Sequence, residues 1–378
     1  MSFTLQLPRL RGFAVSPAVE GPPVSVVVQE FLTSEDGNTF VARLEALWGL
    51  VASHFEPQGI RPPFIDHLLV IIRPDLEATV YCNELNFECI ARPRMVRDAG
   101  RTVGEIITED DVLDIEQLIP QTTDGKPLTI PPECGVVFIF SHRWRRGVYY
   151  DFGVLDPNIG PRTENLNRLF GRFVTRLVFQ ELYSMSDAQW ERLLHWRWFP
   201  FVGLTHAQRL QLARLANSTV DPHPFLEAMC LPATRGLAER MACWRRNELI
   251  APHMPFLESA LASFERGDFL PCLSVLLPRI EGVLRTLFLE ERPTERAEQD
   301  EMACNLVENQ YPHSILFPQH FDAFLRLSYF RNFNQREGDV ELSRNSHGHG
   351  VSRAEDYDLV RATVAFLTLE QIVYYLED

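Results

Sequence analysis

The chain has 378 residues, with 46% hydrophobic residues, 23% charged residues and a formal net charge of -15. This length exceeds one ordinary hydrophobic core and predicts two or three domains. The apolar content excludes disordered and collagen-like chains. The acidic balance excludes a general binder of nucleic acid or anionic membranes, so any contact with nucleic acid is expected to be local.

The first third of the chain has the short apolar and β-branched runs that are typical of strands. Two of these runs are expected to pair across a turn at His142–Gly147. The strand candidates are Val24–Leu32, His67–Arg73, Glu77–Ala91, Val136–Ser141 and Val148–Leu155. Apolar spacing in Thr39–Ser53 predicts a helix packed on this sheet.

Helical periodicity dominates after Asn158, with Ser186 and Thr205 as N-caps and an interruption at Pro222 and Pro224. The helix candidates are Glu164–Tyr183, Asp187–Trp198, Thr205–Asn217 and residues 233–247, 252–267, 269–290, 316–332 and 353–377. The fold class is therefore predicted to be α+β. Residues 1–160 form a sheet-rich domain that also carries helix, residues 161–220 a helical connector, and residues 221–378 an all-α bundle.

The seven cysteines are scattered and form no C-x-x-C pair, which argues against a zinc ribbon or a thioredoxin-like motif. The N-terminus is not of the signal-peptide type, and no apolar run approaches the roughly 20 residues of a membrane helix. We therefore expect free thiols, a cytoplasmic location and no membrane partner.

The motifs of three large enzyme classes are missing from the sequence. There is no G-x-x-x-x-G-K-[ST], no G-x-G-x-x-G after a strand and no G-x-S-x-G, so P-loop, Rossmann and α/β-hydrolase functions lose support. A metal-dependent nuclease would need Lys126 together with Asp111 or Asp114. Asp124-Gly125 before that lysine is above all a hairpin-turn signal.

A metal site is a second weak alternative. His347 and His349 alternate along the chain, and His313 and His320 are possible further ligands. No acid stands at a usual ligand spacing, which favours a solvent-exposed loop. We therefore predict neither a metal nor another cofactor.

The strongest local signal is the segment Ser343–Gly350, with the sequence SRNSHGHG. Arg344 and His349 stand five residues apart, and glycines next to the histidine allow a tight backbone turn. A long helix is expected to follow from Ser352 to about Leu376, starting with a capping box of Ser352 and Glu355. Arg344 and His349 would then lie at a corner beside a rigid helix.

This segment resembles the R-N-x-x-x-H-G signature of HEPN-domain proteins, which are small helical bundles. Phe256–Leu289, with Glu281-Gly282 near its end, is similar to the first helical hairpin of one prokaryotic HEPN subgroup. The resemblance covers about residues 222–378. The layout, a sheet-bearing domain before a C-terminal HEPN bundle, is similar to several bacterial anti-phage and abortive-infection proteins.

The resemblance implies a metal-independent endoribonuclease of an immunity or toxin type. RNA is cut when its 2′-hydroxyl attacks the adjacent phosphorus, which requires proton transfer and a cation for the phosphorane charge. His349 is the expected proton-transfer group, with His347 in reserve, and Arg344 the phosphate clamp. Asn345 is expected to position the phosphate or a ring nitrogen.

Further roles are assigned around this motif. Arg336 and Arg353 are expected to bind the substrate, and Glu281 and Arg285 to support the site. Glu281 and Arg285 are either an ordinary i,i+4 surface pair or a device in which Glu281 orients Arg344. In the HEPN family two protomers share a composite site, which implies a homodimer through the C-terminal bundle.

The expected partners are RNA, with tRNA one candidate, and a phage-derived or operon-encoded trigger or inhibitor acting through the N-terminal domain. The alternative function is a non-enzymatic HEPN-type binding or assembly protein of a defence system, since such bundles are often structural. The tryptophans, including Trp190 and Trp198, are expected to pack in the core rather than stack on bases.

Overall fold

The computed structural model describes residues 1–10, 12–14, 25–93 and 104–376. The strands in these residues are β1 (Ser2–Gln6), β2 (Phe13–Ala14), β3 (Val26–Val27), β4 (Gln29–Thr33), β5 (His67–Ile72), β6 (Glu77–Cys82), β7 (Asn86–Pro93), β8 (Val112–Gln121), β9 (Gly135–His142) and β10 (Arg145–Asp151).

The helices are α1 (Gly37–Gly49), α2 (Ala52–Phe55), α3 (Leu166–Val178), α4 (Gln180–Tyr183), α5 (Asp187–Trp196), α6 (His206–Ala216), α7 (His223–Thr234), α8 (Leu237–Trp244), α9 (Met254–Glu265), α10 (Phe269–Glu291), α11 (Gln299–Val307), α12 (Pro318–Phe324), α13 (Arg344–Gly348) and α14 (Leu359–Leu376). The strands lie early in the chain and the long helices late, so the fold is α+β.

The chain divides into two compact units. Met1–Arg92 and Asp114–Gln180 form the sheet unit, and Pro93–Leu113 with Glu181–Asp378 form the helical unit, as far as these residues are described. The boundaries differ from those predicted at residues 160 and 220. No separate connector appears among the described residues, because its first part packs on the sheet and its second part joins the later helices.

The sheet unit is built on a six-stranded antiparallel sheet with the order β1-β6-β5-β9-β10-β4. The central strand β5 pairs with β6 on one side and β9 on the other, so that Val70 stands between Val80 and Val137. Leu68–Ile72 of β5 is buried at every residue. A continuous apolar run is the sequence pattern expected of a strand that is buried on both faces of its sheet.

Helices cover both faces of this sheet. Phe40, Leu47 and Trp48 of α1 join the same apolar core as Val70 and Val137. On α3, Phe170 and Phe173 pack against Phe138 of β9, with ring centroids 4.4 and 5.3 Å apart. The aromatic face of α3 therefore places residues 166–178 in the sheet unit.

The predicted strands 67–73 and 136–141 are confirmed. The strand predicted over 148–155 is present but shifted, since β10 runs from Arg145 to Asp151 and Gly153–Leu155 forms a 3₁₀ turn. The single strand predicted over Glu77–Ala91 is wrong. Asn83 adopts a left-handed conformation with φ 50°, which ends β6 before β7 begins. Val24, the start of another predicted strand, lies outside the described residues.

Most predicted helices of the helical unit are confirmed, with Ser186 and Thr205 as side-chain N-caps. The interruption predicted at Pro222 and Pro224 is present, because α6 ends at Ala216. The prediction missed α7, which begins at this break, where a missing backbone N–H costs little. The helix predicted from Ser352 begins only at Leu359, after a short 3₁₀ turn at Ala354–Asp356.

The last helix, α14, forms the centre of the helical unit. It is long and apolar enough to cross a membrane, yet 78% of it is buried inside the protein. The core helix of a soluble protein has the same properties. Helices α10 and α14 pack against each other through side chains that are exposed by 1% or less, among them Leu273, Leu276, Phe366 and Leu369. Helix α13 contacts α10.

Candidate functional site

The predicted motif forms the short helix α13, whose first turn is capped by its own serines. Ser343 is the N-cap, and its hydroxyl accepts from the Ser346 N–H at 3.1 Å, while the Ser346 hydroxyl accepts from the Ser343 N–H at 2.8 Å. Both hydroxyls also donate to backbone carbonyls, of Arg331 and Glu341, at 2.8 Å. These bonds fix a turn too short to be stable by itself.

Arg344, the first residue of α13, is held by a carboxylate on α10. Its Nε forms an ion pair with Oε2 of Glu281, and Nη2 of Arg285 donates to Oε1 of the same carboxylate at 2.7 Å. The Glu281 side chain is 10% exposed and that of Arg344 24% exposed. Glu281 thus points towards Arg344, and Arg285 joins the pair from the surface side.

The guanidinium of Arg344 packs on the backbone of Gly348, the residue before His349. A Cβ atom built at Gly348 would collide with Nη1 of Arg344, so that atom lies directly on the Gly348 backbone. His349 follows as the C-cap residue of α13. The side chain of Arg344 and the backbone of His349 therefore belong to the same turn. Glycine at position 348 leaves the space that the Arg344 guanidinium occupies.

The imidazole of His349 is exposed to solvent, and its ring lies 5.2 Å from that of Phe333, centroid to centroid. Within the described part of the chain no hydrogen bond to this imidazole is formed, so both ring nitrogens can reach a ligand. An exposed imidazole can accept and return a proton near neutral pH.

His347 is engaged by a neighbouring hydroxyl group and is only partly exposed. Its Nδ1 lies 2.8 Å from the hydroxyl of Tyr357, which lies 2.7 Å from the hydroxyl of Ser352. Burial is the largest cause that lowers the pKa of His347, the charge of Arg344 lowers it further, and the backbone of Ser274 in α10 acts in the opposite direction.

Pro278 lies inside α10 and has no N–H to donate to the carbonyl four residues earlier, which is that of Ser274. This backbone group acts on the imidazole of His347. The imidazole is engaged by the Tyr357 hydroxyl at 2.8 Å, so His347 is a positioning residue rather than a free base.

Asn345 is occupied by structural bonds. Its amide exchanges two hydrogen bonds with Gln299 of α11, at 2.7 and 2.9 Å, and its Nδ2 donates to the carbonyl of Phe330 at 2.6 Å. A further contact of 3.3 Å joins it to Asn332. The amide expected to position phosphate instead ties α13 to the rest of the helical unit.

Arg336 and Arg353 lie at the surface. Arg336 is exposed on the 3₁₀ turn Gln335–Glu337, and Arg353 is exposed with one 3.5 Å hydrogen bond to the carbonyl of Gly338. The Gly338 contact places Arg353 beside the turn that carries Arg336.

Several residues of this site escaped the sequence analysis. Gln299 is the first residue of α11, and Tyr357 falls within the helix predicted from Ser352, which in fact begins at Leu359. Phe333 carries no local signal. Gly348 was noted only for its backbone freedom, whereas its role is to leave space for Arg344.

The alternative sites have ordinary structural surroundings. Lys126 pairs with Asp124 at 2.7 Å in a turn, and Asp114 accepts from Thr175 at 2.9 Å. His320 stacks on Trp190 with ring centroids 3.8 Å apart. No group of three or more metal-ligating side chains occurs in residues 1–10, 12–14, 25–93 and 104–376.

Comparison of the chain with protein-family models, with curated proteins and with solved structures found no match.

Proposed function

We propose that this protein is a metal-independent endoribonuclease of the HEPN type, with an immunity or toxin role. The observation that supports the proposal is the packing of Arg344 on Gly348, one residue before the exposed His349. A fixed cation and a free imidazole on the same turn are the two groups that this reaction requires.

In the proposed reaction the 2′-oxygen of RNA forms a bond to phosphorus and the bond to the 5′-oxygen breaks. His349 accepts the proton of the 2′-hydroxyl, and the leaving 5′-oxygen receives a proton from His349 of a second protomer. Arg344 stabilises the charge on the phosphorane oxygens. The products are a 2′,3′-cyclic phosphate and a 5′-hydroxyl, with no change in oxidation state.

Arg344 is well prepared for this role because Glu281 fixes its orientation before substrate binds. A preorganised charge stabilises a transition state without reorganisation, and losing one such group costs about 10²–10³ in rate. Arg336 and Arg353, both exposed, would bind neighbouring phosphates.

The remaining parts of the proposal follow the family resemblance. The helical unit would be a HEPN-type bundle that forms a homodimer around a composite site, in the cytoplasm. RNA, with tRNA as one candidate, would be the substrate. The sheet unit would respond to a phage-derived or operon-encoded trigger or inhibitor.

The test is incubation of the full chain with RNA in the presence of EDTA, followed by end-group analysis. We expect cleavage to 2′,3′-cyclic ends by the wild type, and loss of at least about 10²-fold in rate for Arg344→Ala and for His349→Ala. Arg266→Ala and His313→Ala change exposed residues outside the site and are controls that should keep activity. Equal cleavage by wild type, Arg344→Ala and His349→Ala would refute the catalytic assignment.

A non-enzymatic assembly protein is the second candidate function. It is favoured by the contacts of Arg344, Asn345 and His347, because each of these side chains is engaged by another residue of the helical unit. Analytical ultracentrifugation separates the two functions. A stable dimer without RNA cleavage, in both wild type and His349→Ala, would support assembly alone.

A further inference from the structure

The helical unit contains a cavity of about 630 Å³, which lies within the usual size of small-molecule pockets. Its lining includes Trp196, Arg197, Arg331, Glu341 and Arg361. None of these residues belongs to the proposed Arg344–His349 site, and the cavity has no role in the reaction above. We call it the Arg361 cavity.

Two of the three arginines in this cavity are neutralised by carboxylates. Arg197 donates to the backbone of Leu342 and pairs with Glu341. Arg331 pairs with Glu341 at 2.6 Å and with Asp339 at 2.7 Å. These two cations and two anions form a balanced network along one wall.

Arg361 is the third arginine of the lining and forms no ion pair with this network. Its guanidinium forms no hydrogen bond or ion pair within the described residues, although Asp358 accepts from its backbone N–H at 2.7 Å. Asp358 thereby caps the start of α14, and Glu191, the fourth carboxylate of the lining, is exposed. An unpaired guanidinium next to a cavity is suited to an anionic group of a ligand.

The like charges of Arg197 and Arg361 act on each other. Burial, then the charge of Arg361, lowers the pKa of Arg197 to about 10. An anion bound at Arg361 would offset this repulsion, because it would neutralise the one guanidinium of the three that forms no ion pair with a carboxylate of the lining.

The backbone around the cavity is held in unusual conformations. Arg197 is a non-glycine residue with φ 60°. Leu325–Tyr329 forms a π-helix that contains Leu327 of the lining and ends two residues before Arg331. Left-handed non-glycine residues and π-helical turns persist where surrounding structure holds them, and they are frequent at functional sites.

Trp196 adds a flat apolar surface to the lining and is half-buried, beside the fully buried Trp198. Aromatic side chains of this kind stack on nucleobases, with a benefit that does not depend strongly on the base. Donors and acceptors for a base edge are present in His195, His223 and Glu191 of the same lining.

We propose that the Arg361 cavity binds a nucleoside phosphate, with the phosphate at Arg361 and the base on Trp196. Neither Arg344 nor His349 belongs to the lining of this cavity, and we assign it to a free nucleotide rather than to the RNA that is cut. This proposal stands whether or not the protein is a ribonuclease.

Isothermal titration of the full chain with each of the four nucleoside 5′-monophosphates tests the proposal. At least one should bind the wild type with a Kd below about 1 mM. Arg361→Gln and Trp196→Ala should each weaken binding by about tenfold or more. Arg266→Gln removes an exposed arginine outside the lining and should bind as the wild type does.

Arg344→Ala should also keep nucleotide binding, which separates this proposal from ribonuclease activity. Arg361→Lys keeps the charge and should bind more tightly than Arg361→Gln, which guards against misfolding as the explanation. Failure of all four nucleotides to bind, or equal binding by wild type and Arg361→Gln, would overturn the proposal. So would equal affinity for inorganic phosphate, or Arg361-dependent binding of short RNA but not of mononucleotides.

Discussion

Glu281 joins two arginines of very different exposure through its two carboxylate oxygens, Arg344 from the motif and Arg285 from its own helix. The Arg344 side chain is 24% exposed and that of Arg285 is 44% exposed. The same carboxylate therefore offers an internal comparison of a structural ion pair with a surface one.

We expect Arg344→Ala to lower the free energy of unfolding by about 2 kcal/mol, because it removes a charge-assisted contact from a carboxylate that is largely buried. Arg285→Ala should cost less than about 1 kcal/mol, as exposed pairs usually do. Urea denaturation of both variants measures the difference. Equal losses would show that Glu281 does not hold Arg344 more firmly than Arg285.

Gly348→Ala tests the space beside Arg344. The added Cβ would displace the guanidinium from α13, so we expect RNA cleavage to fall by at least about tenfold while the protein stays folded. Gly49→Ala is the matched control, since a Cβ at Gly49 meets nothing within 4 Å. Undiminished cleavage by Gly348→Ala would mean that the position of Arg344 is unimportant.

Asn345 and Gln299 should behave as one unit. Each alanine variant should lose about 1–2 kcal/mol of stability, because each leaves partly buried amide groups without partners. The double variant should lose about 1 kcal/mol less than the sum of the two single losses. Additive losses in urea denaturation would indicate that the amide pair does not hold α13.

Much of the fold follows from local patterns in the sequence. The apolar run of β5 and the N-caps Ser186 and Thr205 were predicted because each depends on neighbouring residues only. The strand order of the sheet could not be predicted in this way. It depends on pairings such as Gly147 with Thr33, more than a hundred residues apart.

The candidate site shows the same division. The turn that joins Arg344 to His349 is local, and so its residues were found in the sequence. Gln299, the partner of Asn345, lies on α11, and Tyr357, the partner of His347, lies just before α14. No spacing rule links residues that meet only through tertiary packing.

Acidification should destabilise the protein through His206. Burial is the main cause that lowers the pKa of His206 to about 4, and the charge of Arg209 adds to it. The unfolded chain binds a proton below about pH 6.5, whereas the folded chain does not until about pH 4, so stability falls as the pH drops through this window.

We expect His206 to account for about 2 kcal/mol of lost stability between about pH 7.5 and about pH 5. His206→Asn should lose less stability over this range than the wild type does. His313→Asn changes an exposed histidine and should keep the wild-type slope. Urea denaturation at several pH values is the measurement, and identical slopes for wild type and His206→Asn would contradict the assignment.

Pro278 leaves the Ser274 carbonyl of α10 without the backbone donor that an uninterrupted helix would supply. The same backbone group acts on the imidazole of His347 in α13. The irregular turn of the long helix therefore lies where the motif turn docks, and a carbonyl of this kind favours a neighbour that can donate a hydrogen bond.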